Sequence, residues 1–129
     1  MKLQKNLLII PMVVAGVWGI LGLFFPETVF KFLGTPTENI NLNLTSTQMI
    51  LGISQISLGI IALWMRSLKD KAVMSGAMTV VSVVFLLFGL EAILVNFLVE
   101  GHTINMILFV QGIVLIVLGV LFYAVRKPK

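Results

Sequence analysis

The sequence predicts an all-α integral membrane protein. The expected architecture is a four-helix bundle made by tandem duplication of a two-span hairpin, with a short interfacial helix after the first span. Three observations lead there. Charged residues make up 11% of the chain and hydrophobic ones 59%, with a mean hydropathy of +1.11. An ordinary soluble domain carries about 25% charged residues, so this chain lacks the polar surface to cover a globule in water. Four apolar runs are long enough to cross a bilayer: about 6–25, 48–65, 74–98 and 104–125. They leave room for one transmembrane domain over 1–129 and for no separate soluble one. Lastly, Gly52, Gly59 and Arg66 recur as Gly112, Gly119 and Arg126, each 60 positions on.

Span one begins after Lys2 and Lys5, which with Leu7–Ile10 resemble the start of a signal peptide. The apolar run continues to Phe25 without a small-x-small cleavage motif, so the segment is read as a retained span. Pro26 ends it and is suited to the first turn of a new helix, with Glu27 favoured there by the helix dipole. Val29, Phe30 and Leu33 then share one stripe of a short helix over about 26–34. Gly34 caps this helix, which is expected to lie on the outer leaflet. Thr35–Thr47 is the long polar segment. Within it, Thr45-Ser46-Thr47-Gln48 has the form of a capping box and places the start of span two. Asn43-Leu44-Thr45 matches a glycosylation tripeptide, a pattern common by chance. The short Ser67–Lys71 loop predicts that spans two and three pair antiparallel. Gly101-His102-Thr103 forms a tight outer turn, with Thr103 as the expected N-cap of span four.

Eight of the nine Lys and Arg residues fall on one side of this topology: Lys2, Lys5, Arg66, Lys69, Lys71, Arg126, Lys127 and Lys129. Basic residues in short loops are retained in the cytoplasm, so both termini are expected there, in a cell or inner membrane. Trp64 and Tyr123 stand just before Arg66 and Arg126, at interfacial level. The net charge of +4 is accounted for by topology and attraction to anionic lipid, and calls for no nucleic acid.

Each span carries a small pair seven residues apart: Ala15/Gly22, Gly52/Gly59, Ser82/Gly89 and Gly112/Gly119. Such pairs lie on nearly one helix face. In lipid, small residues let backbones approach and gain dispersion contacts. The four seams are expected to line the interior of the bundle. Spans one and three also match at an offset of 67, through Val14, Val17, Gly22, Leu23, Phe30 and Gly34 against Val81, Val84, Gly89, Leu90, Phe97 and Gly101. Two spans per half would make the repeats parallel.

Glu91 is the one ionisable residue well inside a span, about 10 Å from the outer end of span three at 1.5 Å per residue. A charge at the bilayer centre costs about 2.5–3.5 kcal/mol on insertion scales, so such a residue needs a role. Gln55 and Gln111 fall near the same depth, and a Glu91–Gln55–Gln111 cluster closed by Trp18 is one arrangement. The other follows from helical phase: Glu91 lies two residues after Gly89, far round the helix from the small seam, and points at a partner subunit or a headgroup. The plain reading, in which Glu91 hydrogen-bonds a neighbouring helix or snorkels outward, ranks first, a subunit interface second and proton or cation coupling third. Ser54 and Ser57 are read as helix–helix donors or as bonded to the preceding turn. Asn96 lies near the interface and His102 in the outer turn.

Leu23-Phe24-Phe25-Pro26-Glu27, Phe32-Leu33-Gly34, and Leu58-Gly59 with Trp64-Met65-Arg66 closing span two resemble small four-span prokaryotic proteins of the DoxX-like kind. The resemblance covers the general layout of the chain. It implies a subunit of a membrane complex, the family name coming from a subunit of a quinone-linked oxidase. It carries over no catalytic residue.

The chain has no cysteine and one histidine. Disulfides, thiolate catalysis, Cys-ligated metals and a haem held by two histidines of one chain are excluded. No nucleophile–base pair or phosphate-binding loop is evident, no catalytic residue or metal ligand is named, and no cofactor is expected. The function expected is a non-catalytic accessory or structural subunit, in contact with membrane lipid and with other subunits or itself. The alternative is a small proton-coupled transporter acting as a dimer through Glu91. The small multidrug exporters carry their glutamate in the first span, whereas span one here has none. A lipid or quinone enzyme ranks third, since Glu91, Glu100 and His102 are its only outer-side candidates.

Overall fold

A computed structural model describes residues 1–98 and 105–128, the side chains of Asn96 and Leu98 excepted. Among the described residues all regular structure is helical: α1 (Lys2–Leu7), α2 (Ile9–Phe24), α3 (Pro26–Phe32), α4 (Leu42–Met65), α5 (Lys71–Leu98) and α6 (Met106–Ala124), with a 3-10 turn at Thr37–Asn39. Four segments are long and apolar enough to cross a membrane: Lys2–Phe24, Leu42–Met65, Lys71–Val95 and Met106–Ala124.

The helix boundaries follow from local chemistry. Leu8 separates α1 from α2, three residues before Pro11. Proline has no N–H for the carbonyl four residues back, and its ring crowds that carbonyl. Pro11 therefore belongs to the first turn of a new helix. Phe25 precedes Pro26 and adopts φ −134°, ψ 51°, as the pre-proline position is driven out of the helical region. α3 starts on Pro26 and stops at Gly34, whose φ of +82° suits glycine. Gly34 N–H donates to Lys31 O at 3.0 Å and Thr35 N–H to Phe30 O at 2.9 Å, the paired bonds of a Schellman cap.

The later helices start elsewhere than hydropathy and capping patterns place them. α4 begins at Leu42, six residues before the expected start of span two. Asn41 is its N-cap, its Oδ1 accepting from Leu44 N–H at 3.0 Å. The Thr45 hydroxyl instead donates back to Leu42 O at 3.0 Å, so the capping box goes unused. Asp70 caps α5, its Oδ1 accepting from Val73 N–H at 2.9 Å. Asn105 caps α6 through Ile107 N–H and Leu108 N–H. Thr103, the cap expected for span four, lies outside the described residues with the rest of the Gly101-His102-Thr103 turn.

The chain gathers into two compact units, Lys5–Ser67 and Met1–Gln4 with Leu68–Lys129. In the first, here the first hairpin, α2 and α4 pack antiparallel and α3 folds against both. Val29 of α3 is buried, and the Phe32 ring lies 6.0 Å from that of Trp18. In the second hairpin α5 packs against α6. Phe85 and Phe122, both buried, meet edge to face at 5.4 Å. Gln4 belongs to this unit; its side-chain amide donates to Val125 O at 2.8 Å.

Candidate functional site

In each hairpin glycines let the two backbones come close. A Cβ placed on Gly52 would lie 2.6 Å from Leu23 N and 2.8 Å from Gly19 O, and one on Gly19 would lie 2.7 Å from Ile56 N. These are backbone atoms that no rotamer change can move. In the second hairpin a Cβ on Gly112 would lie 2.8 Å from Gly89 O, and one on Gly89 would lie 2.9 Å from Ile116 N. Each seam thus faces its partner helix within one hairpin. Gly22 also lies in the α2–α4 contact, against Gln48 and Gly52, and Gly59 lies beside Met12 and Gly16. Gly119 lies beside Leu86 and Ser82, and the buried Ser82 hydroxyl donates across to Gly119 O at 2.7 Å. Ala15 is half-buried.

These contacts equate positions in the two hairpins. Gly52, Ile56 and Gly59 correspond to Gly112, Ile116 and Gly119, an offset of 60. Their partners Met12, Gly16, Gly19, Gly22 and Leu23 correspond to Ser82, Leu86, Gly89, Ala92 and Ile93, an offset of 70. The residue matching that gave 67 for spans one and three is therefore three positions from the register that the packing shows. Gly19 is a seam residue that a seven-residue spacing does not pick out, and Gly16 lies beside Gly59 with open space next to it. Their three-residue spacing with Gly22 is the signal that finds them.

The polar candidates divide between the units. Gln55 belongs to the first hairpin and is half-buried; its Oε1 is buried without a hydrogen-bond partner. Glu91 and Gln111 belong to the second. Gln111 is half-buried, and Glu91 is exposed. The residues of α5 nearest Gly112 are Gly89, Ala92 and Ile93, so Glu91 projects from another face of α5. Trp18 packs on α3, as described above. Ser54 and Ser57 bond to the preceding turn, at 3.2 Å to Ile50 O and 2.9 Å to Ile53 O. Gln4, which the sequence did not single out, also has a buried, unpartnered Oε1. Trp64 and Tyr123 are exposed, and the Arg126 guanidinium sits 3.5 Å above the Tyr123 ring centroid.

Among the described residues no group of three or more His, Asp or Glu side chains could hold a metal. Glu100 and His102 lie outside them. What the arrangement offers chemically is a carboxyl and an amide oxygen at span depth, and broad apolar surface. No protein family, no curated protein and no solved structure matches the chain.

Proposed function

We propose that this chain is a non-catalytic integral membrane protein serving as an accessory subunit of a larger membrane assembly. The observation that carries the reading is the apolar surface left uncovered along all four spans. Only 17–28% of the residues in each span's most apolar stretch are buried. Side chains such as Ile50, Ile60, Leu87 and Val117 are more than 60% exposed. In lipid such faces are available to acyl chains and neighbouring helices. The resemblance to DoxX-like proteins points the same way.

In this reading both termini are cytoplasmic, α3 lies at the outer interface with Lys31 towards headgroups, and the hairpins descend from one duplicated ancestor. The common contact pattern at offsets of 60 and 70 supports the duplication. Glu91 is a subunit-facing carboxyl: it is exposed on α5 at a depth where an unpaired charge is costly. A mild-detergent pull-down followed by mass spectrometry tests the reading. Stoichiometric recovery with another membrane protein, weakened by Glu91→Ala, is the expected result. A stable purified monomer with an activity of its own would remove it. Proton-coupled flux in proteoliposomes, lost on Glu91→Gln, would install the transporter instead.

A further inference from the structure

We infer that the first hairpin holds one acyl chain of an anionic phospholipid in a surface groove that runs alongside the contact of Gly16 with Gly59. The groove has a volume of about 200 Å³ and is lined by apolar residues, among them Met12, Gly16, Ile20, Ile56, Gly59 and Leu63. It opens at the surface, since Ile20 and Leu63 are each half exposed.

The second hairpin shows what is missing from it. At the equivalent place stands Leu86, so close to α6 that a Cβ on Gly119 would lie 2.7 Å from its Cγ. The first hairpin has Gly16 there, and a Cβ on Gly16 would meet nothing within 4 Å. One hairpin fills the space between its helices with a branched alkyl group of its own. The other leaves the same space open to an alkyl group from outside.

Cationic residues beyond the Met12 and Leu63 end of the groove favour an anionic lipid. Lys5, near the end of α1, is seven residues before Met12 of α2, and Arg66 is three residues after Leu63. Arg66 Nε donates to Lys5 O at 3.1 Å, which brings the two cationic residues to the same end. Neither 1–26 nor 39–69 contains an acidic residue, and Asp70, the next along the chain, has its Oδ1 accepting from the Val73 N–H as the cap of α5. A phosphate headgroup at Lys5 and Arg66 would leave its chain running along the groove from Leu63 towards Ile56, roughly 10 Å at 1.5 Å per residue. Guanidinium and ammonium groups both bind phosphate oxygens through charge-assisted hydrogen bonds.

The inference rests on membrane residence and not on the accessory-subunit reading, so it is tested on the purified chain alone. Delipidated protein is titrated with phosphatidylglycerol or phosphatidylcholine of identical chains, and bound lipid is counted by native mass spectrometry. The expected result is one phosphatidylglycerol held at least tenfold more tightly than phosphatidylcholine. Gly16→Leu, which installs the residue of the other hairpin, should weaken that lipid at least fivefold with unchanged far-UV circular dichroism. Ile60 also lines the groove and is exposed at its rim, so Ile60→Phe narrows it from outside and serves if Gly16→Leu does not fold. Arg66→Gln should erase the preference for phosphatidylglycerol. Equal binding of the two lipids, or undiminished binding in the folded groove variants, overturns the inference. So does a dimer that survives delipidation and is lost on Gly16→Leu, which would assign the groove to a second copy. A lone chain that binds lipid this way but never copurifies with a partner would sink the subunit reading and leave this one standing.

Discussion

The two hairpins use the same backbone approach and fill the remaining space differently. In both, a glycine on the first helix faces a glycine on the second: Gly19 with Gly52, and Gly89 with Gly112. Towards the ends that carry Arg66 and Arg126 they diverge. The second hairpin has the buried edge-to-face pair Phe85 and Phe122, with Leu86 packed on Gly119. The corresponding residues of the first hairpin are Ala15, Ala62 and Gly16. Lipid tails are as apolar as leucine, so burying hydrocarbon does not itself drive membrane helices together; packing and hydrogen bonds do. The comparison teaches that the glycine contact sets the geometry, while the side chains beside it decide whether a hairpin is closed or leaves a cleft.

The largest effect that would break this comparison is expected at Phe122. In water-soluble cores removing a buried aromatic costs about 3–5 kcal/mol, part of it a transfer term that lipid does not supply, so the lower end of that range applies here. Phe122→Ala should lower stability by that order in a denaturing-detergent titration followed by circular dichroism. A loss under about 1 kcal/mol would mean that the aromatic pair is not what closes the second hairpin, since buried truncations of this kind fall well above that value.

Next come the glycines at closest approach. Gly19→Ala and Gly89→Ala each place a methyl against backbone, and overpacking of this kind costs about 1–3 kcal/mol. The two should be similar, because their surroundings correspond atom for atom. Gly16→Ala, with open space around it, should be neutral or slightly stabilising, as alanine favours a helix. A Gly16→Ala penalty equal to that of Gly19→Ala would erase the distinction between seam and groove. The smallest loss is expected for Ser82→Ala. Interhelical hydrogen bonds in membranes average about 0.6 kcal/mol in double-mutant cycles, and no change at all would mean that the bond to Gly119 O is not stabilising.

Much of this architecture is legible in the chain, for physical reasons. A helix that crosses lipid must be apolar over its length, so hydropathy finds the four long helices. It misplaces their starts, because Leu42–Thr47 is polar yet helical and Asn41 is the cap that forms. Asp70 and Asn105 were missed likewise: each is a short polar side chain just ahead of a helix, and only a hydrogen-bond partner separates a cap from a loop residue. Glycine spacing identified Gly22, Gly52, Gly59, Gly89, Gly112 and Gly119. Register did not emerge, since glycine and valine are frequent enough in apolar helices to match at several offsets. The groove depends on that register, because Gly16 gains meaning only against Leu86. Among the polar candidates, Glu91 stood out as the sole ionisable group within a span. Its exposure agrees with its phase, two residues after the buried Gly89, and the spacing left open only whether that phase or a polar cluster prevails.

Everything rests on the four long helices being threaded through lipid with both ends in the cytosol. The absence of cysteine makes a direct measurement simple: single cysteines at Glu38→Cys, Ser67→Cys and Lys127→Cys, labelled with a membrane-impermeant maleimide before and after permeabilisation of cells. The account predicts that position 38 reacts in intact cells, whereas 67 and 127 react only once the membrane is opened. Labelling of 67 or 127 from outside, or equal labelling of all three in a chain that stays dispersed without detergent, would contradict it.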